Sequence, residues 1–242
     1  MAKRKKKRKL KRDLILLIDL EATCWDRKPP AGMYNEIIEI GISALDYRTK
    51  EIKLKDTIIV KPQFSEISEY CTNLTSITQE MVDEKGVTLA EACKILEDTY
   101  KSKDRIWASW GEYDNNQIKR ECKHKKIENP FGRTHINMKP LFSFAYGLHT
   151  DYGVGEALEH LGMEFEGNAH RGVDDAYNIA RILKKVFIPL MVNPKYGRKE
   201  EKMEHEVLSA KIDSTYNKVD LDNNVARIIN KSTPENPDKS HR

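Results

Sequence analysis

The sequence predicts an α/β layered domain, a mixed five-stranded sheet flanked by helices, from about residue 13 to residue 190. Three observations carry this. The run Leu14–Leu20 is apolar except for Asp19, too continuous for a half-exposed strand, and reads as a buried central one. Two further stretches rich in Ile and Val follow closely enough to form a hairpin. Beyond residue 87 helical and strand patterns alternate, an order that lays helices over a sheet.

In chain order, "EIIEIGISALDY" (36–47) and "EIKLKDTIIVKP" (51–62) are the hairpin strands, joined by "RTK" and pairing with the first strand. "VTLAEACKILEDTY" (87–100) places Val87, Leu89, Ala90, Cys93 and Leu96 at helical spacing, with Thr88 as the cap. "RIWASW" (105–110) is a short strand, "YDNNQIKRECKH" (113–124) a helix and "THINM" (134–138) a fifth strand. "GVGEALEHLGM" (153–163) and "VDDAYNIARILKKVF" (173–187) are helices, the second with Val173, Ala176, Tyr177, Ala180, Leu183 and Phe187 on one face. Residues 191–242 turn polar: an extension with some helix around "VARII" (225–229) and a disordered end from Ser232.

Composition narrows the function classes. Of 242 residues, 39% are hydrophobic and 33% charged, a core with a wet surface. No run approaches ~18 apolar residues, so no membrane span is expected, and Asp13 and Asp19 interrupt what a signal peptide would need. The expected location is cytoplasmic. The four cysteines form no C-x-x-C pair and read as small buried hydrophobes in a reducing compartment.

The net charge of +4 is unevenly spread. Residues 3–12 hold nine Lys and Arg, and without them 33 bases face 38 acids, a balance of −5. A slightly acidic body therefore carries a basic arm, residues 1–12, kept disordered by self-repulsion and able to touch phosphates without reading sequence. A solubilising tail or an import signal are the other readings of the arm.

The chemistry lies in the carboxylates. Residues i and i+2 of a strand share a face, so Asp19 and Glu21 point together at the end of a buried strand, where open α/β sheets bind ligands. A divalent cation relieves their repulsion, and oxygen-only ligands suit Mg²⁺ or Mn²⁺. Alone, the pair is equally compatible with charges that merely solvate a strand end. "SWGEYDNNQI" adds Asp114 after a second strand, and "HRGVDDAYNIA" adds His170 and, in the first turn of a helix, Asp175.

This set, Asp19-x-Glu21, then Asp114, then His170 five residues before Asp175, resembles the DEDDh branch of the ribonuclease H-like 3′-to-5′ exonucleases. The phrases "DLEATCW", "NEIIEIG", "CTNLTSITQEMV" and "LGMEFEGNAHRGVDDAYNIARIL" are most similar to its Eri-type and KapD-like members, over roughly residues 13 to 187. The resemblance implies a ribonuclease H-like exonuclease fold and two divalent metal ions, Mg²⁺ or Mn²⁺, held by Asp19, Glu21, Asp114 and Asp175. His170 is then the general base that takes a proton from the attacking water, a task suited to imidazole. Gly172 fits a mobile loop closing over substrate, and Asp174 a helix cap. By the same resemblance, Thr23 and Cys24 offer donors to the terminal nucleotide. Tyr113 stands where Eri-type enzymes commonly carry a stacking Trp, and Trp25, Met33 and Ile37 form an apolar wedge near the 3′ end. Core packing is the competing reading for these residues.

Many animal members carry a separate nucleic-acid-binding domain upstream, for which the basic arm is the available substitute. The implied activity is metal-dependent 3′-to-5′ hydrolysis of RNA, at single-stranded 3′ ends, to nucleoside 5′-monophosphates. A DNA exonuclease of the proofreading or repair type, and a non-catalytic nucleic-acid-binding regulator with the same fold, remain the alternatives.

Overall fold

The computed structural model describes residues 10–46 and 48–187. The expectations for residues 1–9 of the arm and for 191–242 lie outside the described residues. The backbone is already fixed at Lys11, whose N–H donates to the Asp104 carbonyl at 2.7 Å.

Five strands form one sheet. They are β1 (Leu14–Ala22), β2 (Ile37–Asp46), β3 (Glu51–Ile59), β4 (Ile106–Ser109) and β5 (His135–Asn137), in the order β3-β2-β1-β4-β5. β1–β2 and β2–β3 pair antiparallel, while β1–β4 and β4–β5 pair parallel. The greasiest strand therefore sits at the centre, as expected of a segment apolar on both faces. Its alternate residues serve two cores. Leu16, Ile18 and Leu20 pack with Leu89, Leu96 and Ile118 from helices α3 (Leu89–Tyr100) and α4 (Tyr113–His124). Ile15 and Leu17 pack with Met138, Ile179 and Leu183 on the other face. Full burial of one such side chain contributes about 1.5–3 kcal/mol, so Ile15–Ile18, all fully buried, anchor the strand firmly.

Three helices have no counterpart in the sequence-based prediction: α1 (Glu69–Thr75), α2 (Gln79–Lys85) and α5 (Met138–Tyr146). The first two have seven residues each, too few for a period to show, and are signalled only by their caps. Ser68 accepts the Cys71 N–H and Thr78 the Met81 N–H. α5 starts where strand was expected to continue, because the Asn137 side chain caps it and Pro140 falls within its first turn. The predicted helices appear as α3, α4, α6 (Val154–His160) and α7 (Gly172–Ile182), and α7 runs on into a five-residue π turn at Leu183–Phe187.

α7 packs very closely on β2. A Cβ on Gly41 would stand 1.9 Å from the carbonyl carbon of Gly172 and 2.4 Å from the Val173 nitrogen. Backbone rests directly on backbone there, and only glycine permits it. Gly172 is thus the buried first residue of α7 and not part of a mobile loop. Gly155 in α6 has nothing within 4 Å of its Cβ position. We expect Gly41→Ala to lower stability by about 3 kcal/mol or more, because no rotamer can relieve the clash. Gly155→Ala should raise it by up to about 1 kcal/mol; chemical denaturation of the two variants measures both.

Candidate active site

The odd-numbered face of β1 begins apolar, at Ile15 and Leu17, and ends in Asp19 and Glu21. The change occurs where the strand passes under the first turn of α7. Asp19, Glu21 and Asp175 there bring a carboxylate oxygen each within 4.8 Å of one another. Asp114, in the first turn of α4 beyond the parallel neighbour β4, stands outside that three-residue set. It is buried, and its Oδ1 accepts the Leu20 backbone N–H at 2.9 Å, which pins α4 to the end of β1.

The electrostatics of this cluster are one-sided. Burial raises the Asp19 carboxyl well above its usual range, with further repulsion from Asp114, Asp175, Glu21 and Glu39. Burial likewise lifts Glu21 to about 8, Asp114 to about 7 and Asp175 to about 6. Asp175 Oδ2 is buried with no hydrogen-bond partner. An orphaned acceptor beside two further carboxylates is an all-oxygen donor set of the kind that suits a hard divalent cation.

Two residues absent from the sequence reading position this site. Glu39, fully buried, lies opposite Glu21 in the β1–β2 register. Its carboxylate accepts from Arg171 Nε and Nη2 at 3.2 and 3.1 Å, from the Gly172 N–H at 2.9 Å and from Thr57 Oγ1 at 2.8 Å. Arg171 directly follows His170, so this clamp holds one end of the histidine loop. At the other end Asp174 accepts the Asn168 N–H at 2.8 Å and pairs with Lys55 at 2.6 Å, in place of the helix cap expected of it. His170 between them is exposed and adopts a left-handed backbone, φ 61°. A charge inside the otherwise apolar run "IIEIGI" was the available signal for Glu39.

The six expected substrate contacts divide. Tyr113, 52% exposed, stands at the start of α4 beside the carboxylates. Cys24, Trp25 and Met33 are half-buried, and burial pushes the Cys24 thiol up to about 12. Thr23 and Ile37 are fully buried. The Thr23 hydroxyl donates to the Tyr34 carbonyl and accepts the Glu36 N–H, and its own N–H donates to the Glu36 carbonyl. Ile37 is fully enclosed in the core packed against α3 and α4. Both hold the 34–37 segment in place.

Comparison with known proteins is consistent with this arrangement. The RNase T family model, described as Exonuclease, matches residues 16–183. The chain belongs to this exonuclease family. It is similar to the 3′-5′ exonuclease Snipper of Drosophila melanogaster, at 29% identity over 76% of this chain and 75% of the relative. It also resembles the 3′-5′ exoribonuclease 1 of Homo sapiens, at 32% identity over 70% of this chain and 51% of that protein. The exonuclease chain thus spans about half the length of its mammalian relatives. Among solved structures, the nuclease domain of 3′hExo, a DEDDh family member bound to rAMP, superposes with a TM-score of 0.64 at 31% identity, covering 72% of this chain and 90% of that one. Among the described residues no helix is long and apolar enough to cross a membrane.

Raised carboxyls favour the folded state while protonated. Their stabilisation is complete below the ordinary carboxylate range and is lost as pH rises through about 6 to 8. The Tm of the exonuclease in EDTA should therefore fall between pH 5 and pH 8, and excess Mg²⁺ should abolish the fall. A Tm in EDTA that is flat or rising over that range would contradict this account of the cluster.

Proposed function

We propose that the protein is a metal-dependent 3′-to-5′ exoribonuclease acting on single-stranded 3′ ends. The observation that carries this is the convergence of Asp19, Glu21 and Asp175 beside a buried Asp114, under a helix whose preceding loop carries an exposed histidine. RNA is favoured over DNA because relatives named exoribonucleases lie at 32% identity, and a structural neighbour at 31% is bound to rAMP. The proposed ligands of two Mg²⁺ or Mn²⁺ ions are Asp19, Glu21, Asp114 and Asp175. When bound, such ions supply the positive charge that neutralises the phosphate and stabilises both the attacking and the leaving oxygen.

The chain's own groups do the rest. β1, buried on both faces, holds Asp19 and Glu21 rigid, so their charge is preorganised and does not relax away from the reaction. His170, exposed at the mouth, takes the proton of the water that attacks the terminal phosphodiester. The bond from phosphorus to the 3′ oxygen of the penultimate residue then breaks, releasing a nucleoside 5′-monophosphate and a shortened strand with a free 3′ hydroxyl. Glu39 and Arg171 keep the histidine loop at the carboxylates. Tyr113 offers its exposed ring to the terminal base, with Cys24, Trp25 and Met33 beside it.

The test is digestion of labelled RNA with free or blocked 3′ ends, and of matched DNA, in Mg²⁺, Mn²⁺ or EDTA. A ladder shortening from free RNA 3′ ends, absent in EDTA, is expected. Asp19→Asn should abolish it, and His170→Ala should slow it by about 10²–10⁴-fold. Preferential digestion of DNA would move the assignment to a repair-type enzyme, and binding without cleavage would make the protein a regulator. A second expectation concerns the clamp: Arg171→Ala should lower kcat far more than it raises KM, since it loosens His170 without touching the substrate surface.

A further inference from the structure

The sequence "KRECKHKK" (119–126) is absorbed by none of the chemistry above. It forms the later turns of α4 and the residues just beyond. Every exposed residue from 116 to 126 is Asn116, Lys119, Arg120, Lys123, His124 or Lys126. Glu121, the one acid of that stretch, is buried and paired with Lys125 at 2.9 Å. On a body that is otherwise net acidic, this stretch exposes positive charge alone, with the exposed acids Glu112 and Glu128 lying just before and just after it.

Aromatic rings flank it at both ends. Tyr113, Gln117, Arg120 and His124 follow i, i+4, i+7 and i+11 spacing and so share one stripe of the helix. Tyr113 lies at the carboxylates. At the far end, about 16 Å along the axis at ~1.5 Å per residue, the His124 ring meets Tyr34 edge-on at 5.2 Å and Phe64 at 6.4 Å. Phe64 is 49% exposed. Between the two ends Gln117 is buried. Its amide donates to the Asn35 carbonyl at 2.9 Å, and its Oε1 accepts from Arg120, which fixes both the neighbouring segment and the guanidinium.

We infer that this stripe and the exposed face beside it are a track for the single-stranded RNA on the 5′ side of the residue being removed, with Arg120 on the stripe and Lys123 next to it taking phosphates and Phe64, braced edge-on by His124, stacking a base several nucleotides upstream. The inference rests on the exoribonuclease reading of the carboxylate site. Its physical basis is the usual pairing of a cationic groove with exposed rings in single-strand binding. Continuity with Tyr113 joins the track to the carboxylate site along one helix. The same residues would otherwise be a basic helix end complementing its dipole beside a local aromatic contact, and that account assigns the substrate no dependence on length.

Length dependence is therefore the test. The full chain is assayed on oligoribonucleotides of two to twelve residues, with Phe64→Ala and Lys123→Glu as variants. For wild type, kcat/KM should rise with length over the first several nucleotides and then level. Each variant should lose about five-fold or more on the longest strands while cleaving the dinucleotide at the wild-type rate. Lys123→Glu should also flatten the log–log salt dependence by about 0.7 for each phosphate that it no longer neutralises. Blunt duplex 3′ ends should gain nothing from length. The track is overturned if wild type cleaves dinucleotide and dodecanucleotide equally well, or if the variants lose as much on the dinucleotide as on the long strand. A length gain confined to DNA would overturn the RNA assignment. A wild type that cleaves no free 3′ end would instead overturn the exoribonuclease reading itself.

Discussion

The site depends on a contact with no side chain in it. Gly41 on β2 meets Gly172 at the start of α7 backbone to backbone, closer than a Cβ on Gly41 would allow. That approach brings the first turn of α7 down to the level of Asp19 and Glu21, so that Asp175 joins them. A methyl group at Gly41 would strike the Gly172 carbonyl at 1.9 Å and push the first turn of α7 away from Asp19 and Glu21.

Such closeness gathers five acids, Asp19, Glu21, Glu39, Asp114 and Asp175, around one strand end. Two devices make it tolerable. Glu39 is answered inside the protein, by Arg171 and the Gly172 amide, and so becomes a structural anchor. The other four are left with raised protonation equilibria and, in Asp175, an unsatisfied oxygen. The protein thus neutralises the carboxylate it uses as a strut, while the ones that can hold an ion form no salt bridge among the described residues.

Much of this was legible in the sequence, and the exceptions have physical reasons. β1, the hairpin, α3, α4 and α7 are long or strongly patterned, and their apolar residues fell where packing required them. α1 and α2 are seven residues each and show no period, while α5 begins on a cap that had looked like strand. The spacing of Asp19, Glu21, Asp114, His170 and Asp175 was visible as a pattern. Which of the neighbouring residues face outward was not. Thr23 and Ile37 are turned inward while Tyr113 stays exposed, and partners far away in sequence decide this. Glu121, for one, accepts the Ile37 N–H across 84 residues. Glu39 and Arg171 were missed for the same reason: each looks ordinary until the fold sets them together.

The clamp between Glu39 and the Gly172 amide joins residues 133 positions apart. β1 and the hairpin emerge early in synthesis and pair locally, but the helix that brings Asp175 and the loop that brings His170 come near the end of the domain. A growing chain on the ribosome therefore carries Asp19 and Glu21 before it has the means to use them. The acids of β1 can be joined by His170 and Asp175 only once translation has run more than 130 residues past Glu39.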